Sequence, residues 1–120
     1  MKPRKIKLNS RTEILLGKNA ESNDELMKEF KGKENIIIHT KAPGSPFGVI
    51  QKIRPSKAEI YLSGSIIAGY SQDWRDNKKD VVVDVFTGKD ISKKFWMKKG
   101  MWNVRNAKVI KIRKKDIKKD

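Results

Sequence analysis

Three isoleucines in a row, Ile36 to Ile38, sit inside "ENIIIHTKAPGSPFGVI", the stretch from Glu34 to Ile50. Successive side chains of a strand point to opposite faces, so an apolar run without alternation has to be covered on both. The run is short for a helix and is followed by the turn residues Pro43, Gly44, Ser45 and Pro46. Asn35 to Thr40 is therefore expected as a central strand, with Phe47 to Ile53 as its partner after the turn. The rest of the chain must supply cover for both of its faces.

Two segments carry helix signals. In "SNDELMKEFKG", Ser22 and Glu25 have capping-box spacing, Leu26, Met27 and Phe30 form an apolar stripe, and Gly32 is placed to end a short helix. In "RPSKAE", Ser56 and Glu59 repeat that spacing at the start of one long helix from Lys57 to about Asp76, with Ile60, Ile67, Tyr70 and Trp74 toward one side. Gly64 and Gly69 each disfavour a helix interior by about 1 kcal/mol relative to Ala, so close approach of the sheet is expected there.

Further strands are expected at Lys5 to Leu8 and Glu13 to Gly17 around the turn "NSRT", and at Val81 to Phe86 before the turn "TGKD". Met101 to Val104 and Lys108 to Arg113 read as a closing hairpin joined at "RNA". The sum is an α+β fold: a mainly antiparallel twisted sheet with one long packed helix and one short helix, in one domain over residues 1–120. Residues 113–120 are expected as a frayed basic tail.

Charge narrows the partner. The chain has 29 Lys and Arg against 14 Asp and Glu, a formal balance of +15. From Lys89 to Asp120 there are 13 basic and 3 acidic residues, so the last quarter holds two thirds of the excess; Lys2, Arg4, Lys5 and Lys7 form a second group. A lysine excess without matching acid points to a polyanion, with nucleic acid first. The basic region reads as strands, which argues against a membrane-surface helix. Absence of Cys excludes thiolate metal sites and disulfides. No early apolar stretch reads as a signal or membrane span, and a cytoplasmic location is expected.

The segments "LLGKNAESNDEL", "ENIIIHTKAPGSPFGVI", "AGYSQDWRDNKKDVVVDV" and "KKGMWNVRNAKVIKI", in this order, resemble the RNA-binding module of the NFACT proteins, NFACT-R. The similarity spans roughly Glu13 to Ile112. It implies a stand-alone form of the module, an RNA partner such as rRNA or tRNA, a possible contact with the large ribosomal subunit, and a link to ribosome-associated quality control. It implies no enzyme activity and no cofactor. Charge alone leaves DNA open as a partner.

Single residues admit two readings each. His39 is a strand-end histidine bonded to loop backbone, or an RNA contact; one His without Cys cannot complete a zinc site. No nucleophile elbow surrounds Ser45, so a Ser-His-Asp arrangement has no support. Lys41, Gly44 and Ser45 suit either a stiff connector or an anion site, and the resemblance favours the latter. Asn19, Asn23 and Asp24 are assigned to structure, with Lys18 left as a phosphate contact.

Arg75 can fork onto phosphate or onto Asp73, Asp76 or Asp80, and Trp74 reads as core. In "KKFWMKK", Phe95 and Trp96 either plug the end of the sheet or stack on bases. Lys93, Lys94, Lys98, Lys99, Arg105, Lys111 and Arg113 complete the expected electrostatic surface. The rival readings are an enzyme acting on RNA, which lacks clustered carboxylates, a His pair or a glycine-rich nucleotide loop, and a DNA-binding module.

Overall fold

The computed structural model describes residues 2–40 and 45–117. Ile36–Thr40 (β3) lies inside a six-stranded sheet, flanked by Phe47–Ile50 (β4) and Val81–Thr87 (β5). Beyond β4 come Glu13–Leu16 (β2) and the edge strand Arg4–Lys7 (β1); beyond β5 comes the other edge, Lys108–Ile112 (β8). Every pairing in the sheet is antiparallel. The expected α+β architecture is the observed one.

The isoleucine run does what its pattern requires. Ile36 and Ile38 face a core shared with Ile14, Leu16, Val83 and Ile112, while Ile37 faces a second core with Leu15, Val49 and Phe86. Two helices cover the first face: Lys57–Gly69 (α2) and Gln72–Asn77 (α3). Ala20–Phe30 (α1) covers the second, together with a small separate ribbon of Ile91–Ser92 (β6) and Asn103–Val104 (β7).

Three local readings need correction. The capping box of α1 is formed by Asn19 and Ser22, not Ser22 and Glu25: Asn19 Oδ1 accepts from Ser22 N at 2.9 Å, and Ser22 Oγ accepts from Asn19 N at 3.1 Å. Ser22 is thereby buried inside the first turn. At α2 the expected box holds, with Ser56 N donating to Glu59 Oε1 at 2.9 Å and Glu59 N to Ser56 Oγ at 3.1 Å. That amide, then Lys52, brings the Glu59 carboxyl down to about 2.

The long helix is in fact two. Ser71 leaves the helical conformation at φ −84°, ψ 154° and caps α3 by accepting from Trp74 N at 3.1 Å, while its hydroxyl donates to Ala68 O at 2.7 Å. A buried serine thus serves both helix ends at the break. Gly64 lies against the sheet as expected, where a Cβ would stand 2.9 Å from Ile112 Cδ1.

The closing hairpin is also replaced. β7 pairs with β6, through Ile91 opposite Val104, and β8 pairs with β5, so the two segments enter different sheets. Asn106 at φ 56° turns the chain between them, and Arg105 N donates to Asp90 O at 2.9 Å. Within the stretch expected to fray, Lys114–Asp116 form a 3-10 turn, Ile117 is buried in the first core, and Tyr61 donates its hydroxyl to Asp116 at 2.7 Å.

Candidate nucleic-acid interface

Antiparallel register brings the start of β1, the end of β2, the end of β3 and the start of β4 to one end of the sheet, because Arg4 pairs with Leu16 and His39 with Phe47. The end of α2, the start of α1 and residues 99–102 close around it. The result is a groove of about 470 Å³. Lys18, His39, Ser45, Arg75 and Lys99, all candidates from the sequence, line it together. Arg4, Tyr70, Met101 and Trp102 line it as well, and sequence reading had not singled them out for a site. Among the described residues that line it, none is acidic.

Each wall is fixed by buried polar contacts. Gly17 is glycine because a Cβ there would overlap the side-chain amide of Asn23. Asn23 Oδ1 in turn accepts from Phe47 N at 3.1 Å, tying α1 to the start of β4. Lys18 N donates to Ser22 Oγ at 2.8 Å, so the amides that open α1 serve its own cap and the exposed Lys18 side chain carries the charge there. The structural assignment of Asn19 and Asn23 agrees with these contacts, and that of Asp24 with the bonds its carboxylate accepts from Lys93, Gly100 and Trp102.

His39 takes the first of its two readings, a strand-end histidine bonded to loop backbone, while its ring lies on the groove lining. Its Nε2 lies 3.1 Å from Ser45 O, an atom that only accepts, so the ring carries its proton on Nε2. The ring stacks on Phe47 at 4.2 Å between centroids. Burial pushes its pKa below the ordinary 6.5, against the upward pull of the Ser45 bond and of Asp84. Neutral at pH 7, it shapes the groove and adds no charge. Ser45 uses its carbonyl for His39 and its hydroxyl for Gln72 N, at 3.4 Å, so the two side chains form no nucleophile–base pair. Lys41 and Gly44 lie outside the described residues.

The cations differ in what they do. Arg75 donates Nη2 to Gln72 Oε1 at 2.9 Å, rather than to one of the neighbouring aspartates, and stays exposed. Arg4 lies over the Tyr70 ring at 5.3 Å. Lys93 is a different case: its ammonium donates to Asp24 Oδ1 and to Lys98 O, both at 2.9 Å, and to Met101 O at 3.1 Å, while sitting over Trp102. It acts as an internal strut.

Above that strut two tight turns, Met97 N to Lys94 O and Met101 N to Lys98 O at 3.0 Å each, shape the loop of residues 94–101. Phe95 is 100% exposed and Trp96 70%. They do not plug the sheet. This leaves an aromatic pair in water on a braced loop, between the exposed Lys94, Lys98 and Lys99. Arg105 faces Asp90, while Lys111 on β8 and Arg113 just beyond it are exposed outside the groove.

Among the described residues no group of three His, Asp or Glu is placed to hold a metal, and no helix is long and apolar enough to cross a membrane. Among solved structures, the chain is similar to the C-terminal part of the fibronectin/fibrinogen-binding protein from Streptococcus suis, at 25% identity and a TM-score of 0.81. That likeness covers 97% of this chain and 47% of the other, so the chain spans about half the length of that structure. No curated protein matches it. Residues 3–101 match the family described as the NFACT protein RNA binding domain. That span includes the groove up to Met101 and the braced aromatic loop, and the chain belongs to this RNA-binding family.

Proposed function

We propose that the chain is a non-enzymatic module that binds structured RNA, of the rRNA or tRNA class, through phosphates and shape, in the cytoplasm and in contact with the large ribosomal subunit or its tRNA. One observation carries the reading: a groove whose described lining holds four basic side chains and no acidic one, in a chain of an RNA-binding family. Lys18, Arg75, Lys99 and Arg4 supply phosphate contacts at the groove. Phe95 and Trp96 stack on accessible bases beside it, with Lys94 and Lys98 holding the backbone. Lys111 and Arg113 extend the field from the edge strand.

The family association with ribosome-associated quality control supports a role there. The test is a salt titration with a tRNA, a ribosomal RNA hairpin and duplex DNA in parallel. Five or six phosphates neutralised give a log-log slope of about −4 to −5, with both RNAs bound more tightly than DNA. A slope near zero, or equal binding of DNA, contradicts the proposal.

A further inference from the structure

The groove holds more than charge. Resting on the RNA-binding reading, we infer that it captures a single unpaired nucleotide, so that the preferred target is RNA with a bulged or otherwise extruded base. A continuous A-form duplex offers phosphates and 2′-hydroxyls on a convex surface, which a charged patch satisfies without a concavity. Here the cations surround a concave volume of about 470 Å³, within the roughly 300 to 1,000 Å³ of pockets that enclose small molecules. Duplex bound across its mouth leaves that volume wet and its apolar lining uncovered.

The lining has the chemistry of a nucleotide site. Phe47, Tyr70, Trp102 and Val104 give it aromatic and apolar surface for a base. Arg4, Lys18, Arg75 and Lys99 provide charge for the flanking phosphates, and the Arg4 guanidinium over Tyr70 adds a planar cation that can itself stack on a base. His39, neutral and fixed on Ser45 O, presents a polar ring rather than a charge. Anchoring of the walls by Asn23 and Asp24 makes the cavity preformed, which reduces the ordering cost of capture.

The test compares one RNA hairpin with and without a single-nucleotide bulge, at equal salt, and places a photoreactive thiouridine at the bulge. Expected are about tenfold or tighter binding of the bulged hairpin and crosslinks to Tyr70, Met101 or Trp102. Tyr70→Leu, which keeps apolar bulk at its core contact, loses the preference while still binding the unbulged hairpin; Arg4→Ala, at an exposed position, removes a phosphate contact and so weakens both hairpins, but the bulged one more, and serves if the Tyr70 variant fails to fold. Equal affinity for the two hairpins, or crosslinks elsewhere on the chain, overturns nucleotide capture and leaves RNA binding standing. Failure to bind either hairpin at low salt overturns the RNA-binding reading itself.

Discussion

Lys93 and Asp24 meet at 2.9 Å, Nζ to Oδ1, across the seam between the aromatic loop and α1. Trp102 Nε1 at 2.9 Å and Gly100 N at 2.8 Å donate to the same carboxylate oxygen. Burial alone would raise the Asp24 pKa, but these three donors and the Lys93 charge outweigh it and hold the carboxyl below its ordinary 3.8. One carboxylate thus joins both ends of the loop that carries Phe95, Trp96 and Lys99.

Removing that carboxylate takes the counter-charge from the part-buried Lys93 ammonium, which keeps Lys98 O and Met101 O, and leaves two N–H groups without their acceptor, so Asp24→Ala is expected to destabilise the fold by about 3 kcal/mol or more. Thermal melting should fall by roughly 10 °C or more. Lys93→Met should lose less, since Gly100 and Trp102 still serve Asp24. A melt of Asp24→Ala within a degree or two of the parent would show that the network is not holding the loop.

The exposed aromatic pair separates function from stability. Phe95→Ser and Trp96→Ser should leave melting within about 0.5 kcal/mol of the parent. RNA affinity should drop by about 1 to 3 kcal/mol for each ring that stacks on a base. Loss of stability with unchanged affinity would return both rings to a structural role.

Much of the fold was legible because its signals are local or periodic. The doubled isoleucine faces, the Ser56–Glu59 box and the small residues facing the sheet at Gly64 each depend on neighbours a few positions away. The errors arose where a distant partner decides. Nothing in "AGYSQDW" distinguishes a helix interior from a break until Ser71 is buried between Ala68 and Trp74. The pairing of β7 with β6 rather than β8 depends on a contact across the whole aromatic loop. The site divides likewise: charge or turn context singles out Lys18, His39, Ser45, Arg75 and Lys99, whereas Arg4, Tyr70 and Trp102 join the groove only through the register of β1 and the packing of α2 and the loop.

Two glycines offer a contrast in tolerance. A Cβ on Gly88 would overlap the carbonyl oxygen of Phe30, which is backbone and cannot swing away, so Gly88→Ala is expected to destabilise by about 2 kcal/mol or more. At Gly64 the obstacle is the terminal carbon of Ile112, which can shift, and helix propensity gains up to about 1 kcal/mol, so Gly64→Ala should stay within about 1 kcal/mol of the parent. Denaturant midpoints for the two variants check the order; the reverse order would contradict the packing described.

His39 gives the pH response a defined sign. Its folded pKa lies below the ordinary 6.5, so between the two values the unfolded chain binds the proton first. The contribution is complete above about pH 6.5 and is lost as pH falls through the folded value; Asp24, depressed from 3.8, acts in the same direction at lower pH. As the only histidine in the chain, its ring resonances are directly assignable. An NMR titration midpoint above 6.5 would contradict its neutral, Ser45-bonded state.

The most direct measurement reverses charge at the groove alone. Lys18→Glu, Arg75→Glu and Lys99→Glu alter exposed side chains, so the triple variant should melt close to the parent. Titrated with a structured RNA over a range of salt, it should lose affinity at least a hundredfold at low salt and show a log-log slope shallower by about 2 to 3, one phosphate contact for each cation removed. A folded triple variant with the parent's affinity and slope would place the RNA elsewhere and contradict the account.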